Sequence, residues 1–522
     1  MTSSSLFRMG SLLLTAVGVA AVLHAAPVQA APPEAAPTQG PRPADDFRRG
    51  DPRETDLGPV AESSGLSHET AVQPRGHILH LDEVIATLTA EGIEPRLEAA
   101  ERARDIALAK LMSARGAFDT KATIRGEVQP LGYYTHGVVD AKIEQPTPLW
   151  GLSLWTGWRL GLGDFAVYDQ KRLTAAGGEV RTGISLPLAQ GGAIDGRRAK
   201  LRQAKIEVER KTAQRDAKTL ELEAKAAEAY WKWVAAGLSL EVERTLLEIA
   251  FERDAGLERQ IELGNLESII GDDNHRLILD REGRVVAAER EFQAATLELS
   301  LFWRDEGGRP LLAGADRLPD GFPTVTPPHT IDIDAEVEGA ITRRPDLQAI
   351  SSEREGVEVE IQLARNQRLP RVDVSAWVAK DLGQGAAFLL PTELAAAVEV
   401  EVPIPMRAAR GRYRAAQADL GRVDAELRFA RDRVGVEVRD AHSALAATFQ
   451  QARLAGEQVE LARTLAAAEQ RRFELGAGDL LLVNLRELAA ADAAGKEIDA
   501  LAAYFTARAK LEVATGRGVG VK

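Results

Sequence analysis

Two spacings of apolar residues run through this chain. The first is helical. Val434, Val438, Ala441, Leu445, Thr448, Ala452, Ala455, Val459, Ala462 and Ala466 follow one another in steps of four and three. That is the seam of a helix lying along another, with small residues that permit close approach. The second spacing is two. In 151–162, Leu152, Leu154, Thr156, Trp158, Leu160 and Leu162 alternate with Gly151, Ser153, Trp155, Gly157, Arg159 and Gly161. The same alternation recurs in 179–188, 371–378 and 398–404. It fits a strand with lipid on one side and water on the other. It equally fits a soluble sheet packed on one face. Four of the seven tryptophans (Trp150, Trp155, Trp158, Trp377) fall in or beside these segments, near Tyr133 and Tyr134. An interfacial aromatic girdle has that composition.

Between the alternating segments the chain lacks its main helix breaker. There is no proline between Pro187 and Pro310 or after Pro405. These Ala-, Glu-, Leu- and Arg-rich stretches predict long helices over about 194–263 and 408–475, each followed by a shorter one over 267–304 and 480–515. Helices of about 25 residues are predicted at 95–118 and 345–369, before the strands.

The two halves echo each other, which predicts an internal duplication. Glu94-Pro95-Arg96-Leu97 echoes Arg344-Pro345-Asp346-Leu347, Leu186-Pro187-Leu188 echoes Val402-Pro403-Ile404, and Ile261-Glu262-Leu263-Gly264 echoes Phe473-Glu474-Leu475-Gly476. The spacing contracts along the chain, so the first half holds roughly 34 extra residues before Leu186. The domain reading is a first repeat over 77–305, a linker over 306–340 and a second repeat over 341–522. If helices enter and leave each strand region on one side of a membrane, each region crosses an even number of times. Two crossings per region give four strands per chain, too few to close a barrel; three chains would share twelve. The extra residues are either a loop or two more strands.

Charge and composition narrow the function. The chain has 522 residues, a net charge of -13 and no cysteine. The acidity argues against wrapping nucleic acid. The missing cysteine removes disulfides, thiol nucleophiles and Cys-ligated metals. Arg8, the apolar run to Leu23 and Val28-Gln29-Ala30 read as a signal peptide over 1–30. Residues 31–76, rich in Pro, Ala and charge, read as a flexible extension. Candidate chemistry is thin. His77 and His80 form an H-x-x-H without a third ligand at fixed spacing. Asp272, Asp273, Asn274 and His275 read as a solvated helix break. Gly383 and Gly385 lack the context of a phosphate loop. No catalytic residues, cofactor or metal site is expected.

Together the duplication, Arg344-Pro345-Asp346-Leu347, Leu186-Pro187-Leu188 with Gly191-Gly192, Phe473-Glu474-Leu475-Gly476 before Asp479-Leu480-Leu481, and Ala514-Thr515-Gly516 resemble the TolC-type outer-membrane efflux proteins. The resemblance spans roughly 80–520. It implies a mainly α homotrimer: long antiparallel helical hairpins forming an α-barrel tunnel in the periplasm, joined to a trimer-shared β-barrel in outer-membrane lipid. It also implies a periplasmic adaptor protein and an inner-membrane efflux pump as partners. On this reading Leu152, Leu154, Trp158 and Leu160 face lipid. The turns Gly264-Asn265-Leu266 and Gly476-Ala477-Gly478-Asp479 form the periplasmic tip that docks the adaptor and closes the tunnel. The best-known members close that end with aspartates; here Leu482 and Leu485 stand at those places. The rival reading is the adaptor itself, which pairs one hairpin with soluble β-domains.

Overall fold

The computed structural model describes residues 77–328 and 332–520. The expected signal peptide and extension lie outside the described residues. Each half of the chain follows one order. A short helix (α1, Leu81–Thr89; α5, Ile333–Arg343) precedes a longer one (α2, Pro95–Arg115; α6, Pro345–Asn366). Strands follow, then a helix of 67 or 68 residues (α3, Gly196–Glu262; α7, Arg407–Glu474) and a return helix (α4, Ser268–Leu299; α8, Leu480–Ala514). At 1.5 Å per residue the long helices reach about 100 Å. Proline opens both α2 and α6, where its missing N–H costs nothing. The flanking charges are exchanged between halves. Arg96 bonds Glu94 at 2.5 Å, whereas Arg344 grips Asp346 through two bonds of 3.0 and 2.8 Å.

The helix boundaries fall within a few residues of those read from the sequence. The short helices α1 and α5 were not anticipated. Asp332 caps α5, accepting from the backbone N–H of Asp334 and Ala335, so a helix begins inside the stretch read as a linker. The heptad seam of α7 is buried at Val434, Val438, Leu445, Ala452 and Val459; Val434 and Val438 pack with α5 and α6, and α7 also runs along α8.

The strand count needs correction. Six strands form one antiparallel sheet in chain order: β1 Lys121–Gln129, β2 His136–Pro146, β3 Ser153–Gly163, β4 Glu179–Pro187, β5 Arg371–Asp381 and β6 Glu393–Glu401. Four were expected. The extra residues of the first half are the hairpin β1–β2, which pairs with β3 along its whole length. A three-chain barrel would hold eighteen strands, not twelve. The alternation of β1 and β2 is interrupted by Gly126, Gly137 and Gln145 on one face and by Val138 on the other, and so was hard to see in the sequence.

The core sits about halfway along α3. Tyr230, Trp231 and Trp233 are buried there against α1, α4, α8 and the segment 302–325. Trp231 stacks on Phe505 at 4.6 Å and Phe322 at 5.6 Å. The hydroxyls of Tyr230 and Tyr504 donate to the carbonyls of Leu79 and Thr326, both at 2.8 Å. These bonds tie the connecting segments around the helices like a belt. The aromatic run Tyr230-Trp231-Lys232-Trp233, which the sequence reading did not single out, supplies it.

Candidate functional site

Register assigns every strand residue to one of two faces. One row runs Ile143–Thr156–Thr182–Val378–Leu394, and the next Gln145–Leu154–Ile184–Ala376–Ala396. Along this face lie Ile124, Val128, Val139, Ile143, Leu154, Leu162, Val180, Ile184, Val378, Leu394, Val398 and Val400, all substantially exposed. These are all the strongly exposed large apolar residues of the six strands, and they share one side. Lys380 is the one charged residue among them, at the end of β5, with its amine 3.4 Å from the Thr392 hydroxyl. Patches this broad are not left to water in soluble monomers. Strands of nine or eleven residues match the length that spans hydrocarbon when tilted.

The opposite face carries the other charges. A transverse row crosses five strands: Arg125, Asp140, Arg159, Glu179, Asp381. Arg159 reaches Glu179 at 2.6 Å, and Arg181 from the adjacent row pairs with Asp140. Trp155 and Trp377 also lie on this polar face, with Gly183 between them. A Cβ on Gly183 would come within 2.8 Å of both rings' side chains. So the expected aromatic girdle is smaller than read. Trp155 and Trp377 face away from the apolar surface. Trp150 occupies a left-handed turn (φ 49°) where the strands meet the helices and packs over Gly192. Only Trp158 of the four stands on the apolar face; its indole N–H donates to Gly177 at 2.9 Å. Leu154 and Leu160 share that face, whereas Leu152 lies in the turn before β3 rather than in the strand.

All helices attach at one end of the sheet, and the α3–α4 and α7–α8 turns lie at the far end of the longest ones. Both turns use the same device. Gly264 (φ 76°) and Gly476 (φ 74°) take the left-handed conformation that ends a helix. The amides of Asn265 and Ala477 then reach back to the carbonyls of Gln260 at 2.9 Å and Arg472 at 3.0 Å. Leu266 is half-buried beyond the first turn. Gly478 is fixed by space: a Cβ would meet the Phe473 amide at 2.7 Å. Asp479 caps α8, accepting from Leu481 N–H at 3.0 Å. Leu485 is exposed and Leu482 half-buried, and exposed Leu263, Ile269, Leu475 and Leu481 share this end.

A buried charge cluster ties the two hairpins together near this end, and no spacing in the sequence reveals it. Glu487 of α8 is gripped by Arg253 of α3 and, at 3.0 Å, by Arg281 of α4. Arg253 also reaches Asn484, and Arg281 donates to the Leu246 carbonyl at 2.5 Å. Asn274, read as part of a solvated break, is fully buried and donates to Asp254 at 2.7 Å; α4 runs through it unbroken. Nearby, burial pushes the Glu243 carboxyl above its ordinary range despite Arg284.

His77 and His80 meet edge to face at 6.3 Å. Among the described residues, no group of three or more His, Asp or Glu is placed to hold a metal. Likewise, none of the described helices is long and apolar enough to cross a membrane.

Residues 337–517 match the family model of the outer membrane efflux proteins. No curated protein matches the chain in sequence. Solved structures match it in fold. The open-state outer membrane channel MtrE of Neisseria gonorrhoeae aligns with TM-score 0.62 and 15% identity, over 89% of this chain and 98% of that one. VceC of Vibrio cholerae, an outer membrane protein, aligns with TM-score 0.59 and 15% identity over 84% and 96%. The outer membrane channel CmeC of Campylobacter jejuni aligns with TM-score 0.58 and 12% identity over 89% and 94%. The resemblance read from the sequence is thus borne out in the family model and in the fold.

Proposed function

We propose that three copies of this chain form a passive duct through the outer membrane and the periplasm, serving a tripartite efflux or secretion system. The observation that carries the proposal is the two-faced sheet: one side apolar and exposed across all six strands, the other charged. Lipid outside and water inside is the environment that this pattern satisfies. The sheet's edges supply the closure. β1 runs away from the helices and β6 returns toward them. Set side by side between copies, they pair antiparallel and leave no open edge. Three copies give about eighteen strands, in the range that leaves an aqueous channel.

The helical hairpins then project from the sheet as a tunnel into the periplasm. Its tip, Gly264-Asn265-Leu266 with Gly476-Ala477-Gly478-Asp479 and Leu482 and Leu485, is our proposed closure and docking surface for a periplasmic adaptor. The adaptor would link the duct to an inner-membrane pump. The paired echoes support descent from a duplicated half. Two hairpins per chain and an exposed apolar sheet disfavour the adaptor reading. Fractionation is the test: the protein should sediment with the outer membrane, and in detergent its mass should be that of three chains. A stable monomer in the soluble periplasm would overturn the proposal.

A further inference from the structure

The segment joining β3 to β4 does not extend away from the sheet. It folds back over the polar face. Gly161 lies on that face in one row with Glu127 and Val138. A Cβ on Gly161 would stand 1.9 Å from the Arg172 carbonyl oxygen and 3.4 Å from the Phe165 ring. Glycine is therefore required because the loop backbone lies directly on the strand. Phe165, Ala166 and Val138 are buried in the contact, and the His136 ring packs on Phe165 at 4.7 Å. Arg172 reaches across to Glu127 at 2.6 Å, and Arg159 donates to the Lys171 carbonyl at 2.8 Å. The Thr174 hydroxyl, buried, accepts from the Gly161 amide at 3.1 Å. Asp381, the last member of the transverse charge row, accepts from the Ala175 amide at 2.7 Å. The outermost residues of the bend, Val167 and Tyr168, stay 80% and 89% exposed.

We infer that this loop, with the charge row beneath it, is a size filter at the outer mouth of the duct. The inference rests on the proposed barrel, in which the polar face lines the lumen. Three copies of the loop would then project Val167 and Tyr168 toward the axis. The added hairpin β1–β2 explains itself in the same terms. It widens the barrel, and it supplies Glu127 and His136, which hold the loop inward. The solutes admitted would be small and polar, matched to the mixed Arg and acidic side chains of the row; bulky solutes would need the loop displaced.

The chain has no cysteine, so single introduced thiols report access without background. Trp377→Cys places a thiol on the polar face, closer to the helices than the charge row. Intact cells would be exposed to a small impermeant maleimide and to a maleimide on a 5-kDa (about 5,000 g/mol) polyethylene glycol, a size chosen to exceed a filled lumen. We expect the small reagent to label this variant and the large one to fail. Replacing 166–172 with a short Gly-Ser link, or Gly161→Val with the loop retained, should admit the large reagent. Equal labelling by both reagents with the native loop, or exclusion of the large one after either change, would overturn the filter. If neither reagent reached Trp377→Cys while Tyr168→Cys labelled, the polar face would not line a lumen, and the duct reading itself would fail.

Discussion

Glu487 shows how much one side chain can hold. It is buried between two arginines from two other helices, and its negative charge offsets both of theirs. Removing one member of such a cluster leaves a buried charge unpaired, at a cost of about 3–5 kcal/mol. Glu487→Ala should therefore loosen the helix ends locally. Amide exchange in the first turns of α8 should accelerate strongly, while the aromatic belt around Trp231 stays protected. A second residue-scale prediction concerns pH. Burial raises the Glu223 carboxyl above its ordinary range, against the help of the Val519 N–H at 2.9 Å. As pH rises past the free-glutamate value of about 4.3, the unfolded chain loses this proton before the folded one does. The folded state is penalised across that window and beyond it. Glu223→Gln keeps the acceptor for Val519 without the charge. It should raise the melting temperature at pH 8 and leave it nearly unchanged at pH 4; equal effects at both would mean that burial of the charge is not the cause.

At the scale of elements, the turns and strands respond to different forces. Gly476→Ala has open space around its Cβ but must hold a φ of 74°. About 1–2 kcal/mol is the expected penalty for an L-residue there. Gly478→Ala meets backbone and should be worse, and limited proteolysis at the α7–α8 turn would rank the two. On the sheet, Leu154→Arg should cost about 2–4 kcal/mol if it lies near the bilayer midplane. Thr123→Arg, on the polar face of β1, should fold almost as the parent does in lipid vesicles; the reverse order would mean the faces are assigned backwards. These elements differed in how legible they were. α3 and α7 could be read because dozens of residues repeat one period without a proline. β3, β4, β5 and the second half of β6 could be read because apolar and polar residues largely alternate there, whereas the alanines at 395–397 hid the start of β6. β1 and β2 could not, since their apolar face is diluted by glycine and their other face is bent under a loop. The tip turns announced themselves by glycine, whereas the Arg253–Glu487–Arg281 cluster joins three helices and has no local spacing to betray it.

For the whole molecule the decisive question is what satisfies the two free edges. β1 and β6 each pair on one side only, which leaves a row of backbone donors and acceptors on each. Inside hydrocarbon, as the proposed duct requires, such edges would cost several kcal/mol for each unmet group, so the membrane itself would force closure. One chain cannot close on itself with six strands. Closure between copies makes a specific geometric demand. Residues facing each other across an antiparallel pair lie about 4.5–5.5 Å apart at Cα, within the span of a disulfide. Arg125 is the midpoint of β1 and Ala397 that of β6. Arg125→Cys combined in turn with Ala395→Cys, Ala397→Cys or Glu399→Cys scans the neighbouring registers on the polar face. Since the parent has no thiol, every bond formed is an introduced one. Under mild oxidation one pairing should yield covalent species of two and three chains and nothing larger. The single variants should yield at most a two-chain species. If every pairing stayed monomeric in a membrane-inserted protein, β1 and β6 would not be neighbours and the barrel would be built another way. A ladder beyond three chains would keep the edge pairing but replace the trimer with a larger ring.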